Sequence, residues 1–158
     1  MRLEQSKLLD SISAAFPAGP ARPTLSLRQG DQVDSHDTPT SDLLPADWRE
    51  VSERELEEHH WGFTHLGADS WHFYLPAFLE YSVRHSSRGD SLVIAACLNN
   101  LRPPDRLPSR FSTLTDRQRR AVVSVLEFLA SDSESEFAAD ASRVLEGYWI
   151  EKPLYPNA

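Results

Sequence analysis

Residues 70–81, SWHFYLPAFLEY, are the richest run of aromatic and aliphatic side chains in the chain, and Pro76 stands in the middle of it. Such a run calls for burial, yet a proline lacks the N–H that would bond the carbonyl of His72, and its ring crowds that same carbonyl. A helix capped by Asp69 or Ser70 and running to about His85 must therefore bend at Pro76 or begin afresh there. The local cost is about 3 kcal/mol. Burying Trp71, Leu75, Phe78, Leu79 and Val83 offsets it, at roughly 1.5 to 3 kcal/mol for each side chain. The expectation is a bent core helix that several others wrap.

The remaining sequence repeats the helical theme. Leu8, Leu9, Ile12 and Phe16 recur at three- and four-residue intervals and predict a first helix over about Glu4–Phe16. Residues 17–46 change character, with Pro17, Pro20, Pro23, Pro39 and Pro45 among Gly, Ser, Thr and Asp. This reads as a long connector in which TLSLRQGD makes one short extended or helical piece. Ser52 followed by Glu55 is a capping-box signature for a helix start. Asp90 leads a further helix, SLVIAACLNNL, which ends at the breaker RPPDRLP. Thr115 caps a helix striped with Val122, Val125, Leu126 and Leu129, and a last helix is predicted over about Glu134–Tyr148. No internal repeat and no series of alternating strands is present. The fold class expected is all-α, an irregular bundle of five or six helices with a long Pro/Asp-rich loop after the first. All 158 residues make one domain, with residues 150–158 as a tail.

Hydrophobic residues at 40% and charged residues at 25% suit a globular chain, and no apolar run approaches the ~20 residues that span a bilayer. The opening MRLEQSKLLDSISAAF lacks the continuous apolar centre of a secretion signal, so a cytoplasmic location without membrane association is expected. The single cysteine, Cys97, lies in the apolar run LVIAACL and reads as a small buried residue.

Charge is unevenly spread along the chain, whose formal net charge is −8. Residues 31–58 hold ten acidic residues against only Arg49 and Arg54, while Arg84 to Arg120 hold eight arginines against three aspartates. Two readings follow. The acidic connector lies beside the basic middle and the two neutralise each other, or Asp47, Glu50, Glu53, Glu57 and Glu58 form a recognition face for a basic protein partner. Nucleic acid is disfavoured as a partner, because the arginines are scattered and no aromatic-rich basic motif accompanies them.

His59, His60, His65 and His72 fall within fourteen residues and invite a metal reading. Their spacing is not the H-E-x-x-H arrangement that sets two ligands on one helical face, and no cysteine is near. No metal site and no cofactor is assigned. The chain also lacks a G-x-S-x-G elbow, a G-x-G-x-x-G fingerprint and a phosphate-binding P-loop. Beside the proline, Trp71, Tyr74, Glu80 and Tyr81 are candidates to line a ligand groove. The alternative for that face is a buried aromatic row with an exposed Glu80–Arg84 pair.

Three stretches, LSLRQGDQVDSHD, DWREVSERELEEHHWGFTHLGADSWHFYLPAFLEYSV and RFSTLTDRQRRAVVSVLEFLA, together resemble small bacterial proteins grouped as domain of unknown function 6714. The resemblance covers roughly residues 8–130, with FYLPAFLEY its most specific piece. It implies a cytoplasmic bacterial protein and supplies no activity or catalytic residue. The leading expectation is a non-enzymatic protein-interaction module, with an immunity-type inhibitor of a basic toxin as its concrete version. The alternative is a small hydrolase or metal-dependent enzyme using His59, His60, His65 or His72 with Asp69 or an acidic loop residue.

Overall fold

The computed structural model describes residues 2–19, 22–35 and 40–150. Among the described residues the chain is all-α, with seven α-helices and no strand. Helix α1 (Leu3–Ala15) buries Ile12 and Ala15, and Phe16 closes it against the core with Leu8 and Leu9 half-buried alongside. The apolar stripe is thus realised at its helical spacing.

The helix beyond the expected five or six is α2 (Leu27–Ser35), which lies inside the proline-rich connector. Its start is fixed by reciprocal hydrogen bonds. The Ser26 hydroxyl accepts from the Gln29 N–H at 3.0 Å, and the Gln29 side chain accepts from the Ser26 N–H at 2.8 Å. Residues 36–39 of the connector and 151–158 of the expected tail, Asp37 among them, lie outside the described residues. Helix α3 (Glu53–His59) begins at Ser52, whose hydroxyl accepts from the Glu55 N–H at 3.1 Å, and a 3₁₀ turn over His60–His65 follows it directly.

Helix α4 (Ala68–Arg84) passes through Pro76 without interruption. It starts earlier than its candidate caps suggest. Gly67 is the N-cap, Asp69 stands in the first turn, and the Ser70 hydroxyl turns sideways to accept from the N–H groups of Thr24 and Leu25 at 2.8 and 3.3 Å. Ser70 therefore clamps the connector to the helix. Trp71, Leu75, Phe78, Leu79 and Val83 are all fully buried, as are Tyr74 and Tyr81 within a few per cent. A helix buried over most of its circumference belongs at the centre of a domain. It contacts α1, the turns at Trp48–Glu50, His60–His65 and Phe111–Thr113, and two later helices.

Those are α5 (Leu92–Leu101) and α6 (Asp116–Ser131). Ser91, not Asp90, caps α5. Cys97 is wholly buried within it, and burial pushes its thiol up to about 12, which suits an inert core residue. Thr115 caps α6 in a full capping box with Gln118, and Val122, Val125, Leu126 and Leu129 are buried. The last helix is shorter than predicted, with α7 spanning Ala138–Val144 and a π turn over Leu145–Trp149. Its expected start is taken by local turns. The Asp132 carboxylate accepts from the Glu134 N–H, and the Ser135 hydroxyl accepts from the Phe137 N–H. Such short side chains offer the backbone an alternative to helix. One buried apolar cluster draws residues from all seven helices. No helix of the described residues is long and apolar enough to cross a membrane.

Candidate functional site

The acidic candidates lie on the 3₁₀ turn Trp48–Glu50 and on α3. Buried anchors hold both pieces. The Trp48 indole N–H donates to the Phe16 carbonyl at 2.7 Å, and Leu56 fixes α3 in the core. Arg49 bridges its guanidinium to the Ser13 hydroxyl at 2.9 Å and to Asp47 at 3.1 Å. With the inward positions apolar, the acids face solvent. Glu50, Glu53, Glu57 and Glu58 are exposed, and Asp47 is half-exposed at the N-cap of the turn.

Their partners are mostly local. Arg54 pairs with Glu58 at 2.7 Å and holds its carboxyl below the ordinary glutamate range. Asp42 is held low by the Ser26 hydroxyl at 2.7 Å, assisted by Thr40. Glu53 meets His85 at the end of α4. The arginines of the basic middle are engaged elsewhere. Arg84 pairs with Glu80, Arg102 with Asp140, and Arg119 reaches the Tyr148 hydroxyl. Among the described residues no ion pair joins an arginine of 84–120 to an acid of 31–58. Contact between the two segments is made instead by His85, which meets Glu53.

The four clustered histidines occupy different settings. The His59 Nδ1 lies 2.8 Å from Asp31, the His60 Nδ1–H donates to the Glu57 carbonyl at 3.0 Å, and His65 closes the 3₁₀ turn. His72 lies apart from them on α4. Among the described residues no group of three or more His, Cys, Asp or Glu side chains is arranged to hold a metal ion.

The groove candidates separate in the same way. Trp71, Tyr74 and Tyr81 are core residues, with the Trp71 ring stacked parallel to Phe63 at 5.9 Å, while Glu80 stays at the surface with Arg84. Tyr74 buries its hydroxyl without a hydrogen-bond partner among the described residues, and burial raises it far above the ordinary phenol range. A cavity of about 360 Å³ does lie beside the proline, on the other face of α4. Phe16, Trp48, Phe73 and Pro76 give it an apolar wall, and His72, Asp69 and Arg22 add polar groups. Burial lowers the His72 imidazole below its ordinary value, against the opposing pull of Gln118 and Asp69, and leaves it neutral near pH 7. Because Pro76 has no N–H, the His72 carbonyl on this face loses its usual helical donor. Trp71, Tyr74 and Tyr81 pack into the core, so the cavity is bordered instead by residues 69, 72, 73 and 76 of the same helix. The signal for the cavity was the helical offset itself, since those four positions share one stripe.

No curated protein and no solved structure is similar to this chain at a significant level. The family of unknown function DUF6714 matches residues 4–153. An all-helical chain matched over nearly its whole length, the protein belongs to that family.

Proposed function

We propose that the chain is a cytoplasmic protein-interaction module that docks a basic protein partner on the acidic face formed by Asp47, Glu50, Glu53, Glu57 and Glu58. The observation that carries this reading is charge segregation. The acids are exposed on a turn and helix anchored from behind by Trp48 and Leu56, and among the described residues none of them forms an ion pair with an arginine of 84–120. A face of one sign speeds encounter with a partner of the other and rejects partners of its own sign. An immunity-type inhibitor covering a basic bacterial toxin is the concrete form this takes. The test is capture from the source lysate at low salt by the wild type, by a Glu53→Lys/Glu57→Lys/Glu58→Lys chain and by Glu127→Lys as a distant control. A basic protein held by the first and third but lost from the second supports the reading. Equal retention by all three overturns it.

A second reading places small-molecule binding or hydrolysis in the cavity beside Pro76, and the neutral His72 facing it with Asp69 favours that reading. Of the histidine-based alternative it takes up His72, while His59 and His60 bond Asp31 and the Glu57 carbonyl. Hydrolysis of generic ester substrates that is unchanged in His72→Ala would remove its catalytic version.

A further inference from the structure

At the C-terminal end of α5, a cavity of about 240 Å³ opens between that helix and the loop 102–110. Arg102, Arg106 and Arg110 line it, together with Asn99 and Asp105. Arg110 is the unusual member, because only 4% of its surface remains exposed. Its guanidinium donates to Asn100 Oδ1 at 3.2 Å, to the Thr64 carbonyl at 2.9 Å and to the Leu66 carbonyl, and it lies 5.8 Å from the centre of the Trp71 ring. Arg106 donates to the same Thr64 carbonyl. Two guanidinium groups thus converge on one neutral oxygen.

A buried cation is ordinarily matched by a carboxylate. The acid at hand, Asp105, is committed elsewhere. Its carboxylate accepts from the Ser109 hydroxyl at 2.5 Å and from the N–H groups of Arg106, Arg110 and Phe111 at 2.8, 3.1 and 3.0 Å. Burial pushes its carboxyl up, but these bonds outweigh that and hold it ionised below its ordinary value. Among the described residues lining the cavity, one carboxylate therefore stands beside three arginines. Asp140 offsets little of the excess, since its pairing with Arg102 spans 3.7 Å between side chains about half exposed. Burial first, then the neighbouring charge of Arg106, push Arg110 down to about 10 against the opposing pull of Asp105, which leaves it charged near neutral pH.

We propose that this cavity binds an oxyanion, the phosphate or carboxylate group of a small molecule, with Arg106 and Arg102 contacting it and the fixed charge of Arg110 behind them. A planar guanidinium presents paired donors that match two oxygens of such a group. The cavity admits a single head group. The proposal does not depend on the acidic face, which lies on other elements.

The test titrates inorganic phosphate, and separately acetate, into the full chain at constant ionic strength, following the arginine Nε–H resonances. We expect saturation in the millimolar range, weakened about tenfold in Arg106→Gln and in Arg102→Gln, and unchanged in Arg54→Gln on α3. Both cavity residues are exposed, so either variant serves if the other fails to fold. Saturation by phosphate alone assigns the phosphate group, by acetate alone the carboxylate, and by both the shared chemistry. Failure of both anions to saturate, or equal affinity in the two cavity variants and the wild type, overturns the proposal.

Discussion

Pro76 removes from α4 the N–H that would reach the His72 carbonyl, yet the helix continues for two further turns and is buried on both sides of the break. Trp71 and Tyr74 before the proline and Phe78 and Leu79 after it are all wholly buried, so core packing on both sides depends on the helix axis at Pro76. Pro76→Ala restores the missing donor but realigns the two halves. We expect stability to fall by about 1 to 3 kcal/mol, read as a lower denaturant midpoint at constant slope. An unchanged or raised midpoint would show the proline to be incidental. His72, on the same stripe, carries a pH signature. Its folded value is depressed below the ordinary 6.5 by burial. The unfolded chain therefore takes up a proton that the folded chain refuses. The contribution is complete above about pH 6.5 and is lost as pH falls from there through the folded value, with a slope of at most about 1.4 kcal/mol per pH unit. His72→Gln should flatten the midpoint-versus-pH curve in that window, and an equal slope in both chains would contradict the assignment.

At the scale of elements, α2 crosses the 3₁₀ turn His60–His65 with backbone against backbone at Gly30 and Gly62. A Cβ placed on Gly62 would stand 2.0 Å from the Leu27 carbonyl oxygen, and one on Gly30 would stand 2.3 Å from the Gly62 carbonyl oxygen. Backbone meets backbone, so no flexible side chain can yield. Gly62→Ala should cost about 2 to 4 kcal/mol, at the upper end of overpacking effects, and so should Gly30→Ala. Thermal unfolding of both variants checks this, and a loss below about 0.5 kcal/mol would mean that the crossing is looser than described. This crossing was hard to read in the sequence, because a glycine contact between distant segments leaves no local periodicity. The helix that makes it was legible. S-L-R-Q at Ser26 is the same capping box that marked Thr115, obscured by the prolines around it. The apolar stripes of α1, α4 and α6 read directly, since burial follows the helical period. The start of α7 did not, because Asp132 and Ser135 hold the backbone in turns that a charge argument ignores.

Across the whole molecule, charge is held in separate regions. The acids of 42–58 pair with Arg28, Arg49, Arg54 and His85, whereas the arginines of 84–120 pair within their own half, reach carbonyls or cover rings. The linear charge runs were plain in the sequence, but their placement was not. Whether two opposite runs meet is decided by helix order and by which faces are buried. Arg102, Arg106 and Arg110 illustrate the limit. They recur every fourth residue in a proline-broken loop, and only the folded chain brings them to one cavity. The central claim is that the acidic face steers a basic partner. Its most direct measurement is the association rate of the captured partner with the wild type and with the Glu53→Lys/Glu57→Lys/Glu58→Lys chain across a salt series. The account predicts association slowed about tenfold or more at low salt, little change in dissociation, and convergence of the two chains as salt screens the charges. Equal association rates at low salt would contradict it.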